Sequence, residues 1–314
     1  MNSQSFYPAR MDRPPFRALV ICLLPILFLG ASCADLTHLN TFSKTAVQAL
    51  DTYDTIGYGY VYSFTEYTVD TGLYNFSDRS WERNIFPLKF PYQSQDTQAY
   101  AINARADAAI VLLYNSIGTY FSALTQASDK DLVECHFDSL IGPLKGDSMV
   151  LQQLHLTDTS KINAFGSVAN AISHFLMGRY VERKLRGIII QYDKDVQTTL
   201  GTFSDIIDGP LLGNLAADEQ LVNIKYKQFL GNPYLSRDAK MGWINDYKIA
   251  FAHLEKKRLS LARLSTTLRK VGDDHHQLAR QLQSDKLTDK KTQELLDGFT
   301  KDLGLRLQQI KTIK

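Results

Sequence analysis

The densest group of metal-ligating side chains in the 314-residue chain is Asp273-Asp274-His275-His276. Carboxylate and imidazole suit a divalent cation, but consecutive residues of a helix point in different directions and do not converge on one ion. The run therefore reads as a solvated polar linker between two helices. Cys135-His136 has the same weakness and reads as a buried thiol beside a surface histidine. Glu182 with Arg179 and Arg183, and His253 with Lys256, Lys257 and Arg258, read as solvated helix faces. No GxxxxGK[ST] phosphate loop, HExxH, GxSxG or CxxC occurs, which argues against the commonest nucleotide-binding, zinc-protease and serine-hydrolase solutions. The residues thus assign no catalytic group, no metal site and no cofactor.

Aromatic side chains offer a different chemistry, that of binding. Thirteen of the 34 aromatics fall between Tyr53 and Tyr100. Within the proline-containing stretch from Asp70 to Gln95, Tyr74, Phe76, Trp81, Phe86, Phe90 and Tyr92 are the expected partner- or ligand-binding residues, because Tyr and Trp grip a surface at low entropy cost. A stretch this apolar is too hydrophobic for a solvated tail. The same region carries Glu66, Asp70, Asp78 and Glu82, the carboxylates that a hydrolytic or glycan-binding site under the loop would use.

Arg10, Arg13 and Arg17 precede an apolar run from Ala18 to Leu29, and Gly30, Ala31 and Ser32 lead to Cys33. Basic, apolar and small-residue segments in this order make residues 1–32 a signal peptide, and its run is shorter than the roughly 20 residues of a membrane span. A start at Met11 would give a more compact basic region. Gly30-Ala31-Ser32-Cys33 resembles the lipobox of Gram-negative bacterial lipoproteins, although that family's common Leu three residues before the Cys is Gly30 here, with Leu29 one position further out. The resemblance covers the leader alone. It implies lipid on Cys33, a membrane anchored through that lipid, and, from Ala34 in place of an Asp, outer-membrane rather than inner-membrane delivery.

Cysteine and charge arithmetic agree with that reading. With Cys22 removed and Cys33 lipidated, Cys135 stands alone and no intramolecular disulfide forms. Loss of residues 1–32 takes three Arg and one Asp from a chain of 35 basic and 33 acidic residues, leaving a neutral mature protein with no general attraction to nucleic acid.

The elements that must position these residues read as helices. Apolar positions step by three and four over a first helix from about Asp35 to Tyr67, kinked at its glycines, and most cleanly over Thr97 to Ala127. A short helix is expected near Lys130 to Ile141. The longest pattern, Asp158 to Asp208, ends at Gly209-Pro210 and would span about 70 Å if straight, unless it bends near Gly178 or Gly187. Ala216 to Leu230, Ser236 to Val271 and Thr288 onward complete the set. The expected fold is all-α, a single antiparallel bundle over residues 33–314 with an aromatic-rich loop after its first helix and a sub-boundary near 209–215. The expected function is that of a lipid-anchored, periplasm-facing scaffold that binds an envelope protein partner. The alternative is a ligand-binding or hydrolytic protein acting on cell-wall or glycan material.

Overall fold

Leu39, Phe42, Ala46, Ala49 and Leu50 recur at helical steps, and all are buried on one face of the first helix, α1 (Thr37–Ile56). The computed structural model describes residues 35–66, 94–128, 146–156, 158–171 and 181–313. Among them no strand occurs. After α1 and a further helical stretch at 60–66 come α2 (Ser94–Ser128), α3 (Ser148–Gln153), α4 (Thr159–Ala171), α5 (Val181–Gln191) and α6 (Asp193–Ile206). A π-helical segment (Ile207–Leu211), α7 (Leu212–Gly231), α8 (Arg237–Ser284) and α9 (Lys290–Lys311) follow. The fold is all-α, and residues from Leu36 to Lys314 form one compact unit.

The helices pair antiparallel. Asn40 Nδ2 donates to the Thr125 carbonyl at 3.0 Å at one end of the α1–α2 contact, and Tyr114 Oη donates to Asp51 at 2.6 Å at the other. Arg263 meets Gln309 and Lys270 meets Asp302 across α8 and α9, again in opposite directions. Phe42 of α1 packs its ring against Phe121 of α2 and Phe299 of α9, at 6.1 and 5.8 Å between centroids, which joins three helices at one point. α2 is long and apolar enough to cross a membrane. Here Ile110, Leu113, Ile117, Phe121 and Leu124 are buried, and α1, α4 and α6 pack against it as a core helix.

The pattern from Asp158 to Asp208 is not one straight helix but folds back, the bent alternative of the sequence reading: α4 packs on α6, with Lys161 paired to Asp205 and Ser167 to Asp195; Gly187 lies inside α5, and Gly178 lies outside the described residues. Apolar residues on both halves bury one another in this arrangement, whereas a rod would leave them in water. Gly209-Pro210 does not end the helix. Ile206, Ile207, Leu211 and Leu215 are all buried and hold the chain helical through it, and the wider π turn accommodates a proline that has no N–H to donate. The run Asp273 to His276 is no linker: α8 continues to Ser284, because Val271, His275, Leu278 and Leu282 extend the buried stripe of Leu264 and Leu268.

The expected kink in the first helix is a break. Gly57 adopts the left-handed conformation, with φ of 61°, that ends α1. The chain passes Gly59 and becomes helical again at 60–66. The short helix expected at 130–141, Cys135-His136, residues 1–32, Cys33 and the loop residues Tyr74, Phe76, Trp81, Phe86, Phe90 and Tyr92 lie outside the described residues, as do Asp70, Asp78 and Glu82.

Candidate functional site

The break after α1 builds a polar junction. A Cβ on Gly59 would lie 2.6 Å from Asp107 Oδ1, so only glycine admits the α2 carboxylate this close. Asp107 uses that access to accept from the backbone N–H of Tyr60 at 2.7 Å and of Val61 at 2.9 Å, satisfying the open end of the 60–66 helix as an N-cap would. Burial raises the Asp107 pKa and the two N–H groups oppose the rise. Tyr60 is buried and its hydroxyl donates to the carbonyl of Gln153, tying 60–66 to α3.

On the other side of this segment stands Asp218 of α7, only 5% exposed. It accepts from the hydroxyl of Tyr58 at 2.7 Å and of Ser63 at 2.9 Å. Burial, then the bond to Asp218 and its charge, raise the Tyr58 pKa far above the usual phenol range, so Tyr58 stays a donor. Lys257 of α8 closes the junction: its ammonium donates to the Gly57 carbonyl at 3.0 Å, at the negative end of α1, and sits 3.4 Å from the centroid of the Tyr62 ring. Burial lowers the Lys257 pKa, and the charges of Glu66 and Asp218 oppose that shift.

Two clefts share Asp218 and Leu221. The larger, about 340 Å³, lies between 60–66 and α7 and reaches Asn103 and Gln153. The smaller, about 110 Å³, is bordered by Tyr62, Glu66 and His253. Of the four carboxylates expected to converge, Glu66 alone is among the described residues, and Asp218, which no sequence motif marks, is the acid both clefts share.

From this junction α7 and α8 leave the bundle as a hairpin. In α8 no residue before Leu254 is buried, and in α7 only Tyr226 is buried beyond Asp218. The two helices are held together by their own aromatics: Phe229 stacks on Trp243 at 4.2 Å, Tyr226 meets Tyr247 at 5.1 Å, and the Tyr247 hydroxyl donates to Asn223. The outer surface carries Tyr234 at 94% exposure, Ile249 at 69%, Met241 at 50% and Ile224 at 49%. Residues 224–249 contain Lys225, Lys227, Arg237, Lys240 and Lys248 against Asp238 and Asp246, a local basic excess. Gly231-Asn232-Pro233 marks the turn in the sequence, and the aromatics flanking it are the available signal for a self-supporting hairpin.

Asp193, Tyr120, His275 and His276 form the other polar cluster. Asp193 accepts from His276 Nδ1 at 2.7 Å and from His275 Nδ1 at 3.1 Å, and His275 Nε2 meets the Tyr120 hydroxyl at 2.8 Å. Burial opposes the charge on Asp193, yet the histidine hydrogen bonds lower its pKa. The order carboxylate, imidazole, hydroxyl has the logic of a nucleophilic triad. Tyr120 and His275 are fully buried and line neither of these two clefts, and the relay joins α2, α6 and α8. Among the described residues no group of three or more His, Cys, Asp or Glu side chains is placed to hold a metal ion.

The chain matches no protein-family model, no curated protein and no solved structure.

Proposed function

We propose that the protein is a lipid-anchored envelope module, attached through Cys33 to the outer membrane, that binds an envelope protein without catalysing a reaction. The observation that carries this reading is the α7–α8 hairpin, whose inner aromatics stiffen it while Tyr234, Met241, Ile224 and Ile249 face water. Large apolar side chains exposed on an element that also carries charge are the usual makings of a protein interface. The five basic residues there select the occupant: a protein surface that is acidic around an apolar centre. The leader and its lipobox resemblance support the anchor.

A pull-down from intact envelopes tests the reading. The paired change Tyr234→Ala with Met241→Ala should abolish capture of an acidic partner while leaving the melting temperature nearly unchanged, since both side chains are half exposed or more. Undiminished capture by this variant, or capture replaced by adhesion to anionic vesicles in the wild type, contradicts it.

A further inference from the structure

We infer that the end of the bundle formed by the start of α5 and the turn from α8 to α9 lies against anionic lipid headgroups, and that this contact holds the α7–α8 hairpin away from the membrane. The inference rests on the Cys33 anchor of the proposed function and adds the orientation of the anchored chain. Leu36, where the compact unit begins, follows Cys33 by three residues, a reach of no more than about 11 Å. α1 starts beside the first turns of α9: His38 Nδ1 and Asp297 Oδ1 are 2.6 Å apart, and Phe42 packs on Phe299. It ends at the root of the hairpin, where Lys257 Nζ donates to the Gly57 carbonyl at 3.0 Å. α8 runs the opposite way over its 48 residues, from Arg237 beside the hairpin turn to Ser284, and α9 follows. At 1.5 Å per residue that helix is about 70 Å long. The start of α1 and the hairpin tip therefore lie toward opposite ends of the unit.

The chemistry of the end near α1's start suits headgroups. Arg183 and Lys184 of α5 and Arg280, Lys286, Lys290 and Lys291 around the turn are all exposed. α5 is fixed here because Glu182 accepts from Thr288 and Arg186 donates to the carbonyls of Leu282 and Gln283. Residues 181–186 and 280–294 hold seven basic side chains against the four acidic ones Glu182, Asp285, Asp289 and Glu294. Lys290 and Glu294 form an exposed pair at 3.6 Å, which is worth little in water. Leu287 is buried, and none of the large apolar side chains exposed among the described residues lies in these segments, so the face meets headgroups by charge and does not insert. Such attraction fades within a Debye length, about 8 Å at physiological salt, so it orients a chain that lipid already holds at the surface. The hairpin carries a basic excess too, but at the far end. A chain lying flat would bring one flank to the lipid, yet Tyr100, Val111, Met149, Leu259 and Leu305, exposed outside the hairpin, are spread over four helices.

The experiment is energy transfer from a fluorescent side chain, placed at Gln283 or at Tyr234, to acceptor-labelled headgroups in vesicles carrying the lipidated mature chain. Both positions are exposed, at the two ends of the hairpin-bearing helix pair. In phosphatidylethanolamine vesicles containing phosphatidylglycerol, the Tyr234 position should stand farther from the acceptor plane than Gln283 by at least about 40 Å, the larger part of the length of α8. The difference should shrink in vesicles without phosphatidylglycerol, in high salt, and in the triple variant Lys286→Gln, Lys290→Gln and Lys291→Gln. Those three side chains are exposed and glutamine is a comparable helix former, so far-UV circular dichroism should not change. Equal transfer from the two positions, stronger transfer from Tyr234, or a difference indifferent to phosphatidylglycerol, salt and the triple variant overturns the inference. A chain that does not reach the vesicles overturns the anchor and this inference together. Loss of partner capture with the difference in height intact contradicts the docking reading alone, so the two failures are separate results.

Discussion

Replacing Gly59 by alanine should cost stability only when Asp107 is present. The added Cβ would lie 2.6, 2.9 and 3.0 Å from Asp107 Oδ1, Oδ2 and Cγ, so the carboxylate must move. Moving it breaks the bonds from the Tyr60 and Val61 N–H groups, at 2.7 and 2.9 Å. Losing a cap costs about 0.5–2 kcal/mol, and each buried N–H left unsatisfied about 1–3 kcal/mol, so Gly59→Ala and Asp107→Ala should each destabilise by about 2–3 kcal/mol. In the Asp107→Ala background the methyl has room. Gly59 does not adopt a positive φ, so alanine there should be neutral or stabilising by a few tenths of a kcal/mol through the unfolded chain. The coupling energy from urea denaturation of the four proteins is therefore about 2 kcal/mol. Additive effects, within about 0.5 kcal/mol, would refute the idea that Gly59 exists to admit Asp107.

Further outcomes follow from other residues. Asp274 is buried, paired with Lys270, and its desolvation raises its pKa to about 6; protonation therefore favours the folded chain. That contribution is fully present below the unfolded value near 3.9 and is lost as pH rises through about 6. Asp274→Asn removes the titration, so the stability difference between wild type and variant should change by about 2–3 kcal/mol between pH 4 and pH 7 in denaturant melts, with the wild type relatively weaker at pH 7. His155 ends α3 at a φ of 54°, in the left-handed region, and His155→Gly should raise stability by about 1 kcal/mol in the same assay. Cys33→Ser should abolish palmitate labelling and move the protein from the membrane fraction to the soluble one; wild-type protein that is itself soluble and unlabelled would end the lipoprotein reading.

What can be read from the sequence follows physical lines. The stripe Ile102, Ala106, Ala109, Leu113, Ile117, Tyr120 and Leu124 repeats at helical period and corresponds to α2 almost residue for residue. Gly57-Tyr58-Gly59 is visible as a weakness but not as a junction, because the partner that makes Gly59 necessary is Asp107, 48 residues away in sequence. Local rules treat Pro210 as a stop, and the burial of Ile207 and Leu211 on both sides of it is a tertiary effect. His275 reads as solvated beside three polar neighbours, yet its partners Asp193 and Tyr120 come from two other helices. Asp218 is an ordinary acid in an ordinary helix until Tyr58 and Ser63 are folded onto it. The aromatic residues between Asp70 and Gln95 stand out by composition, whereas the hairpin's own set is spread over Tyr226, Phe229, Trp243, Tyr247 and Phe251 and shows its purpose only when two helices are paired.

The most direct test of the docking reading is photo-crosslinking in intact cells from a benzoylphenylalanine placed at Tyr234, the side chain with 94% exposure at the hairpin turn. One discrete crosslinked protein of acidic surface is expected, lost when Met241→Ala and Ile249→Ala are added and undiminished when the same chain carries Asn214→Ala in the cleft. Crosslinks to lipid alone, or no crosslink from Tyr234 in cells where the protein is folded and membrane-bound, would contradict it.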